Sequence, residues 1–218
     1  MRRLQLTRGR RVETEADREL ALAVLAETYL KEKGWVQDAE TVFPASDLAR
    51  EDVSWFIATQ RNEPVGVLRV LYDPPIKAYL EYGLKPIGRE AEILEFLANN
   101  KIAEIGRFAV VPARRNGTAV PISLMRHATR EIVARGYSQL VTDVFENDPH
   151  SPLGFHTRIL GFRPVATHEH GELLHKGRRI TLLLDIGMAY RRLKARGNFF
   201  FRQLTKGWTE QMHRRLAA

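Results

Sequence analysis

An α/β fold built on a mixed central sheet with flanking helices is what the order of apolar runs in this chain predicts. Three observations carry the expectation. Runs rich in β-formers alternate with stretches of helical period. The outer runs pair directly as hairpins while the middle ones are joined through helices, which makes the sheet parallel at its centre and antiparallel at its margins. A glycine-bearing turn, Arg114-Arg115-Asn116-Gly117-Thr118-Ala119, stands between a strand and a helix.

The elements follow in order. Ala16 to Lys33 reads as a helix: Leu20, Val24, Tyr29 and Leu30 recur at helical spacing, acidic residues fill Glu13 to Glu19, and Gly34 supplies a stop. Residues 53–60 and 65–72 are β-rich runs linked by the polar Arg61-Asn62-Glu63-Pro64, a hairpin pattern. Pro74-Pro75 ends that unit, and residues 73–101 form a less regular insertion with one helical piece near Arg89 to Leu97. A strand from Ile102 to Val111, the turn Pro112 to Gly117 and a helix from Thr118 to Ala134 come next. Leu140 to Phe145 is a further strand, and Pro152 to Leu160 a short helix ending at Gly161. Phe162 to Thr167 and Ile180 to Ile186 are strands flanking the polar hairpin Glu169 to Arg179, and the tail from Met188 is helical with a break at Gly197. Residues 1–187 are therefore read as one domain, and residues 188–218 as an appended tail.

Composition sets the broad class. The chain has 218 residues, 44% of them hydrophobic and 28% charged, the profile of a globular protein. No apolar run is long enough to span a bilayer, and the first residues lack the apolar core of a secretory signal. With no cysteine there is no disulfide framework, thiolate metal site or thiol nucleophile. A cytoplasmic protein is expected, with the inner face of the membrane as a further place for it. The net charge of +8 sits in the ends: residues 1–11 carry +5 and residues 191–218 carry +7, leaving the body near −4. Such ends suit an acidic partner or a membrane surface, or are simply solvated. No aromatic-basic platform points to nucleic acid.

The turn at residues 114–119 carries the most specific chemistry. A glycine-bearing turn that opens a helix presents backbone N–H groups with no internal partner, and the helix dipole adds positive charge there. Arg114 and Arg115 can add charge-assisted contacts, so the turn suits a pyrophosphate. Arg114, Gly117 and Ala119 resemble the Arg/Gln-x-x-Gly-x-Gly/Ala pyrophosphate loop of GCN5-related N-acetyltransferases (GNAT). Phe155-His156 followed by Gly161-Phe162 resembles the later Phe-Tyr-x-x-x-Gly-Phe segment of that superfamily, and Asn147 stands near its usual asparagine. Two spacings depart from the pattern: Pro112 to Arg114 is one residue short, and His156 replaces a tyrosine with one extra residue before Gly161. The resemblance covers about residues 16–187 and implies the GNAT acyl-CoA N-acyltransferase fold. The loop Arg114, Arg115, Asn116, Gly117, Thr118 and Ala119 is then the binding site of a thioester co-substrate, acyl-CoA or acyl-carrier protein (acyl-ACP), with no permanently bound cofactor.

Glu104-Ile105-Gly106-Arg107-Phe108-Ala109-Val110 places an acid and an arginine in an apolar strand, where each needs a partner, solvent or a task. Strand alternation puts Glu104 and Gly106 on one side, with Ile105, Arg107 and Ala109 on the other. The segment resembles the Glu-x-Ser-Arg-Phe-x-Val stretch of acyl-homoserine-lactone synthases and long-chain N-acyl amino acid synthases. Tyr29 with Gly34-Trp35 resembles their first-helix ending, and Val65 to Val70 their Gly-x-x-Arg-Leu strand. Gly106 stands where the lactone synthases have serine, and the glycine loop fits the amino acid synthases better. The resemblance implies transfer of a long acyl chain from an acyl-carrier-protein or CoA thioester to a small-molecule amine, with the insertion housing the chain.

In that reaction Glu104 is the candidate base and His156 the candidate acid or thiolate partner. Arg107 is the candidate for the acceptor's carboxylate, and Trp35, Arg69, Phe108 and Val110 complete the substrate-binding set. Strand N–H groups around Phe108 to Val110 suit an oxyanion. Each residue also has a plain reading: Glu104 as the ion-pair partner of Arg107 or Arg69, and His156 as a structural histidine. Trp55, Phe56, Leu94, Phe96 and Leu97 serve either as an acyl pocket or as core. His168, His170 and His175 with Glu169 and Glu172 lie in one hairpin with no second cluster, and no metal is expected. The tail, rich in Phe and Arg, suits a peripheral membrane contact, a carrier-protein contact or packing on the domain. A short-chain acetyltransferase and a non-catalytic carrier- or membrane-binding module are the alternative functions.

Overall fold

The structure, a computed structural model, describes residues 6–74, 81–88, 95, 96, 99–175, 177–197 and 199–217. Its strands are β1 (Thr7–Arg11), β2 (Val53–Gln60), β3 (Glu63–Tyr72), β4 (Lys85–Pro86), β5 (Ile102–Val110), β6 (Gln139–Phe145), β7 (Arg163–His168) and β8 (Arg179–Asp185). The α-helices are α1 (Glu15–Leu25), α2 (Ala119–Ala134), α3 (Ile186–Ala195), α4 (Phe199–Leu204) and α5 (Glu210–Ala217). Strands are ordered β1-β2-β3-β5-β6-β8-β7-β4 in a mixed eight-stranded sheet. β5 and β6 are parallel, and the β1–β2, β2–β3, β6–β8, β7–β8 and β4–β7 pairs are antiparallel. The parallel centre and antiparallel margins match the expectation.

The chain divides into two compact units: residues 1–71, 106–131 and 199–207 in one, and 72–105, 132–198 and 208–218 in the other. In the first, every residue of β2 is buried, as a strand covered on both faces requires. Arg61 and Asn62 both have positive φ (52° and 68°), so the β2–β3 connection is a two-residue turn matched to strand twist. Glu63 and Pro64 therefore belong to β3 rather than to the link. Trp55 is core: it stacks on Phe43 at 4.1 Å, and its indole N–H donates to Asp47 at 2.9 Å. Phe56 is equally buried.

β1 is an addition to the expected order. Its residues alternate only between half-buried and exposed, so no apolar period marks it. A Cβ on Gly9 would lie 2.6 Å from Ser123 Oγ and 2.7 Å from the His127 ring. Glycine lets this strand lie against α2. The first helix begins at the Thr14 cap, whose hydroxyl accepts from Asp17 N at 3.2 Å. After Leu25 it continues as a π-helix, Ala26–Glu32, before Gly34 turns back with φ of 60°.

In the second unit, β5 and β6 pair over Ile102–Glu104 opposite Gln139–Val141. Asp73 N donates to Ile102 O at 3.0 Å, joining the two ends of the insertion, and β4 pairs with β7. The expected helix near Arg89 to Leu97 lies largely outside the described residues, as do Leu94 and Leu97; Glu95 and Phe96 are helical. The tail is helical with a left-handed break at Gly197, as expected. Its α5 buries Met212 and Leu216, and Arg215 donates to Val133 O at 3.1 Å. In the first unit, Arg126 donates to Gln203 O of α4 at 2.6 Å and to its side-chain oxygen at 2.8 Å. These contacts are those of a packed tail. No helix among the described residues is long and apolar enough to cross a membrane.

Candidate active site

The turn between β5 and α2 is tight. Pro112–Arg114 makes a single 3₁₀ turn, with Arg114 N bonding to Val111 O at 2.9 Å and Arg115 N to Pro112 O at 3.3 Å. Ile122 N reaches Thr118 O at 2.9 Å, so the donors ahead of it lack a helical partner by construction. Asn116, Gly117, Thr118 and Ala119 are exposed. Gly117 does not adopt a left-handed conformation, and a Cβ there would meet no atom within 4 Å. The fold itself makes no demand for glycine at this position.

The adjacent arginines differ. Arg115 donates from Nε to Val110 O at 2.9 Å and from Nη1 and Nη2 to the two carboxylate oxygens of Glu32, each at 2.5 Å. The half-buried side chain of Arg114 makes no hydrogen bond or ion pair among the described residues. Glu32 was not singled out from sequence, because an acid at the end of a helix carries no local sign of a partner so distant in the chain.

β5 is bent at Arg107, whose φ of 49° is left-handed. A non-glycine residue in that conformation is strained by roughly 1–2 kcal/mol, and inside a strand it breaks the two-residue alternation in the manner of a β-bulge. The regular alternation expected through Ile105, Arg107 and Ala109 is therefore interrupted at Arg107. Ile105 and Ala109 are buried, whereas Gly106, Arg107 and Phe108 are half-buried. Val110 is buried, and half-buried Arg69 lies opposite Trp55 in the β2–β3 ladder. Trp35 packs edge-on against Tyr29 at 5.2 Å, with the Lys33 ammonium 5.3 Å from its ring.

In the second unit, half-buried Glu104 lies opposite Val141 at the end of the parallel ladder. His156 is 2% exposed and sits in a π-helix, Phe155–Leu160, closed by left-handed Gly161. The N–H groups of Gly161 and Phe162 both bond to His156 O, at 2.8 and 3.0 Å. This wider turn absorbs the extra residue noted between His156 and Gly161. His156 Nδ1 lies 2.9 Å from Pro152 O, and since a carbonyl only accepts, Nδ1 carries the proton and Nε2 the lone pair. Burial lowers the imidazole's pKa, outweighing the opposing carbonyl, so the ring is neutral near pH 7.

The hairpin histidines are held structurally. His168 places Nε2 3.1 Å from Asp143 and Nδ1 2.7 Å from His170 O, and Thr181 donates to the same Asp143 at 2.7 Å. Both ring nitrogens face acceptors, which calls for the imidazolium. Burial alone would lower its pKa, but the hydrogen bond and charge of Asp143, with the His170 carbonyl, together raise it. His175 Nδ1 accepts from Gly177 N at 2.7 Å, and its ring lies 4.0 Å from that of Phe145. Among the described residues no group of three or more acids and histidines is placed to hold a metal ion.

No protein-family model matches the sequence, and no curated protein matches it. Solved structures do match. FeeM, an N-acyl amino acid synthase from uncultured soil microbes, aligns with a TM-score of 0.67 at 16% identity, over 91% of this chain and all of that one. The fold is that of the GNAT acetyltransferases. NAA60 of Arabidopsis thaliana in complex with acetyl-CoA aligns with a TM-score of 0.56 at 12% identity, over 83% of this chain and 99% of that one. The aminoglycoside 6'-N-acetyltransferase of Enterococcus faecium aligns with a TM-score of 0.56 at 14% identity, over 83% and 97%. Within this GNAT fold the structure joins Arg115 to Val110 and Glu32 in the first unit. The proposed base and imidazole, Glu104 and His156, belong to the second.

Proposed function

We propose that this chain is an N-acyltransferase that moves an acyl group, long rather than short, from a CoA or acyl-carrier-protein thioester to the amine of an amino acid or related small molecule. The observation that carries the reading is Gly117. Its conformation is open to any residue and its surroundings have room for a side chain, so the glycine serves a molecule that approaches the backbone from outside. In a GNAT fold that molecule is the pyrophosphate of a pantetheine thioester. The long chain and the amino acid acceptor draw support from the likeness to FeeM and from Glu104 and Arg107 in β5.

Glu104 takes a proton from the acceptor's ammonium, and the free amine attacks the thioester carbonyl. The carbonyl oxygen becomes negative and is met by N–H groups of β5 beyond the Arg107 bend. Neutral His156 takes the second proton from the attacking nitrogen through Nε2. The C–S bond breaks as the amide forms, and the imidazolium returns that proton to the departing thiolate. Arg107 and Arg69 hold the acceptor's carboxylate, with Trp35 and Phe108 against its apolar part.

Mass spectrometry of lipid extracts from cells expressing the chain tests this reading. N-acyl amino acids present with the wild type and absent with Glu104→Gln support it. Turnover of acetyl-CoA by the purified protein, with none of any long-chain thioester, transfers the assignment to short-chain acetylation, the activity in the name of the aminoglycoside 6'-N-acetyltransferase. Binding of acyl-carrier protein without turnover makes the chain a binding module.

A further inference from the structure

We infer that Arg115 is a positioning residue that, with Glu32, fixes the pyrophosphate turn in its binding shape, while Arg114 alone of the two makes the charged contact to the donor. The inference rests on the reading of the turn as a thioester site. Three donors of the Arg115 guanidinium are committed: Nε to the carbonyl of Val110, Nη1 and Nη2 to the two oxygens of Glu32. The pair is only 19% and 25% exposed, so water screens it weakly and the carboxylate neutralises the cation. A cation so satisfied is a poor receptor for a further anion, whereas a planar fork bound at both ends is a rigid strut.

The strut ties three elements at one point: the last residue of β5, the turn itself, and the last residue of the π-helix Ala26–Glu32. The π-helix is part of the device. Bonding from Lys33 N to Thr28 O spans five residues, so the chain winds less than the roughly 100° per residue of an α-helix. Over seven residues that difference carries Glu32 well round the helix axis from its α-helical position, to where it meets Arg115. The same helix ending bears Tyr29 and leads to Trp35, so the strut links the donor turn to the segment read as the acceptor's.

Titration with coenzyme A, followed by steady-state kinetics with an acyl-CoA and with an acyl-pantetheine lacking the pyrophosphate, tests this. Glu32→Gln and Arg115→Gln are each expected to weaken coenzyme A by about tenfold, and the double variant no further, because both cut one strut. For Glu32→Gln the loss is expected in KM for acyl-CoA, with kcat held and the acyl-pantetheine unaffected. If Glu32→Gln binds coenzyme A as well as or better than wild type while Arg115→Gln binds it worse, Arg115 touches the anion and the inference is overturned. Equal losses with both thioesters, accompanied by a lowered melting temperature, overturn it in favour of a merely structural pair. A wild type with no measurable affinity for coenzyme A removes the donor reading itself, before any variant is compared.

Discussion

Gly117 separates what the fold requires from what a ligand requires. Because its φ is ordinary and a methyl group there meets nothing, Gly117→Ala is expected to leave the thermal midpoint unchanged or raise it slightly, by the roughly 0.5 kcal/mol that follows from a less flexible unfolded chain. On the proposed donor reading the same change is expected to raise KM for the thioester about tenfold, the added methyl standing where a phosphate would approach. Calorimetry and steady-state kinetics on one preparation read both. A fall in stability without a change in KM would remove the argument from Gly117. The arginines beside it teach a related lesson: adjacent in sequence and equal in charge, they differ because only Arg115 finds Glu32 and Val110.

At the level of elements, Gly66 is the reverse of Gly117. A Cβ on it would lie 2.6 Å from Val120 and 3.1 Å from Ala109 O, so β3 meets the first turn of α2 only because a side chain is missing. Gly66→Ala is expected to cost about 1–3 kcal/mol, a drop of roughly 2–10 °C on thermal denaturation, and to raise KM as well because Val120 adjoins the turn. The order of these elements was legible because each strand and helix is written in a local period. The Arg107 bend was not, since the flexible residue of the segment is its neighbour Gly106. β1 escaped notice because Thr7-Arg8-Gly9-Arg10-Arg11 holds no large apolar residue, which leaves no apolar alternation to read. The π-turn at His156 was half legible, as one residue too many before Gly161, and Glu32 was illegible because its role depends on a contact far along the chain.

For the molecule as a whole, the pH dependence of stability carries the mark of a buried imidazolium. His168 has a pKa raised above the ordinary value near 6.5, so the native state holds its proton more tightly than the unfolded chain. That contribution is complete below about pH 6.5 and is lost as pH climbs through the raised value. Arg179, whose charge opposes the imidazolium, trims the gain. His156 has the opposite sign, weakening the fold as pH falls below about 6.5. Urea denaturation from about pH 7.5 upward, above the window in which His156 titrates in the unfolded chain, is therefore expected to show a declining midpoint that Asp143→Asn flattens, with a loss of about 1–2 kcal/mol at the acid end. A midpoint equally steep in the variant would assign the decline elsewhere. A different consequence follows from the hydrogen bond between Asp73 N and Ile102 O, reinforced where Tyr137 donates to Asp73 at 2.6 Å. The two ends of residues 73–101 are thus fastened to each other at one doorway, and between them the chain meets the sheet again through β4 on β7. On the proposed long-chain reading, in which this stretch houses the acyl chain, changes of length away from β4 are expected to alter chain preference while β3 and β5 stay joined at the doorway.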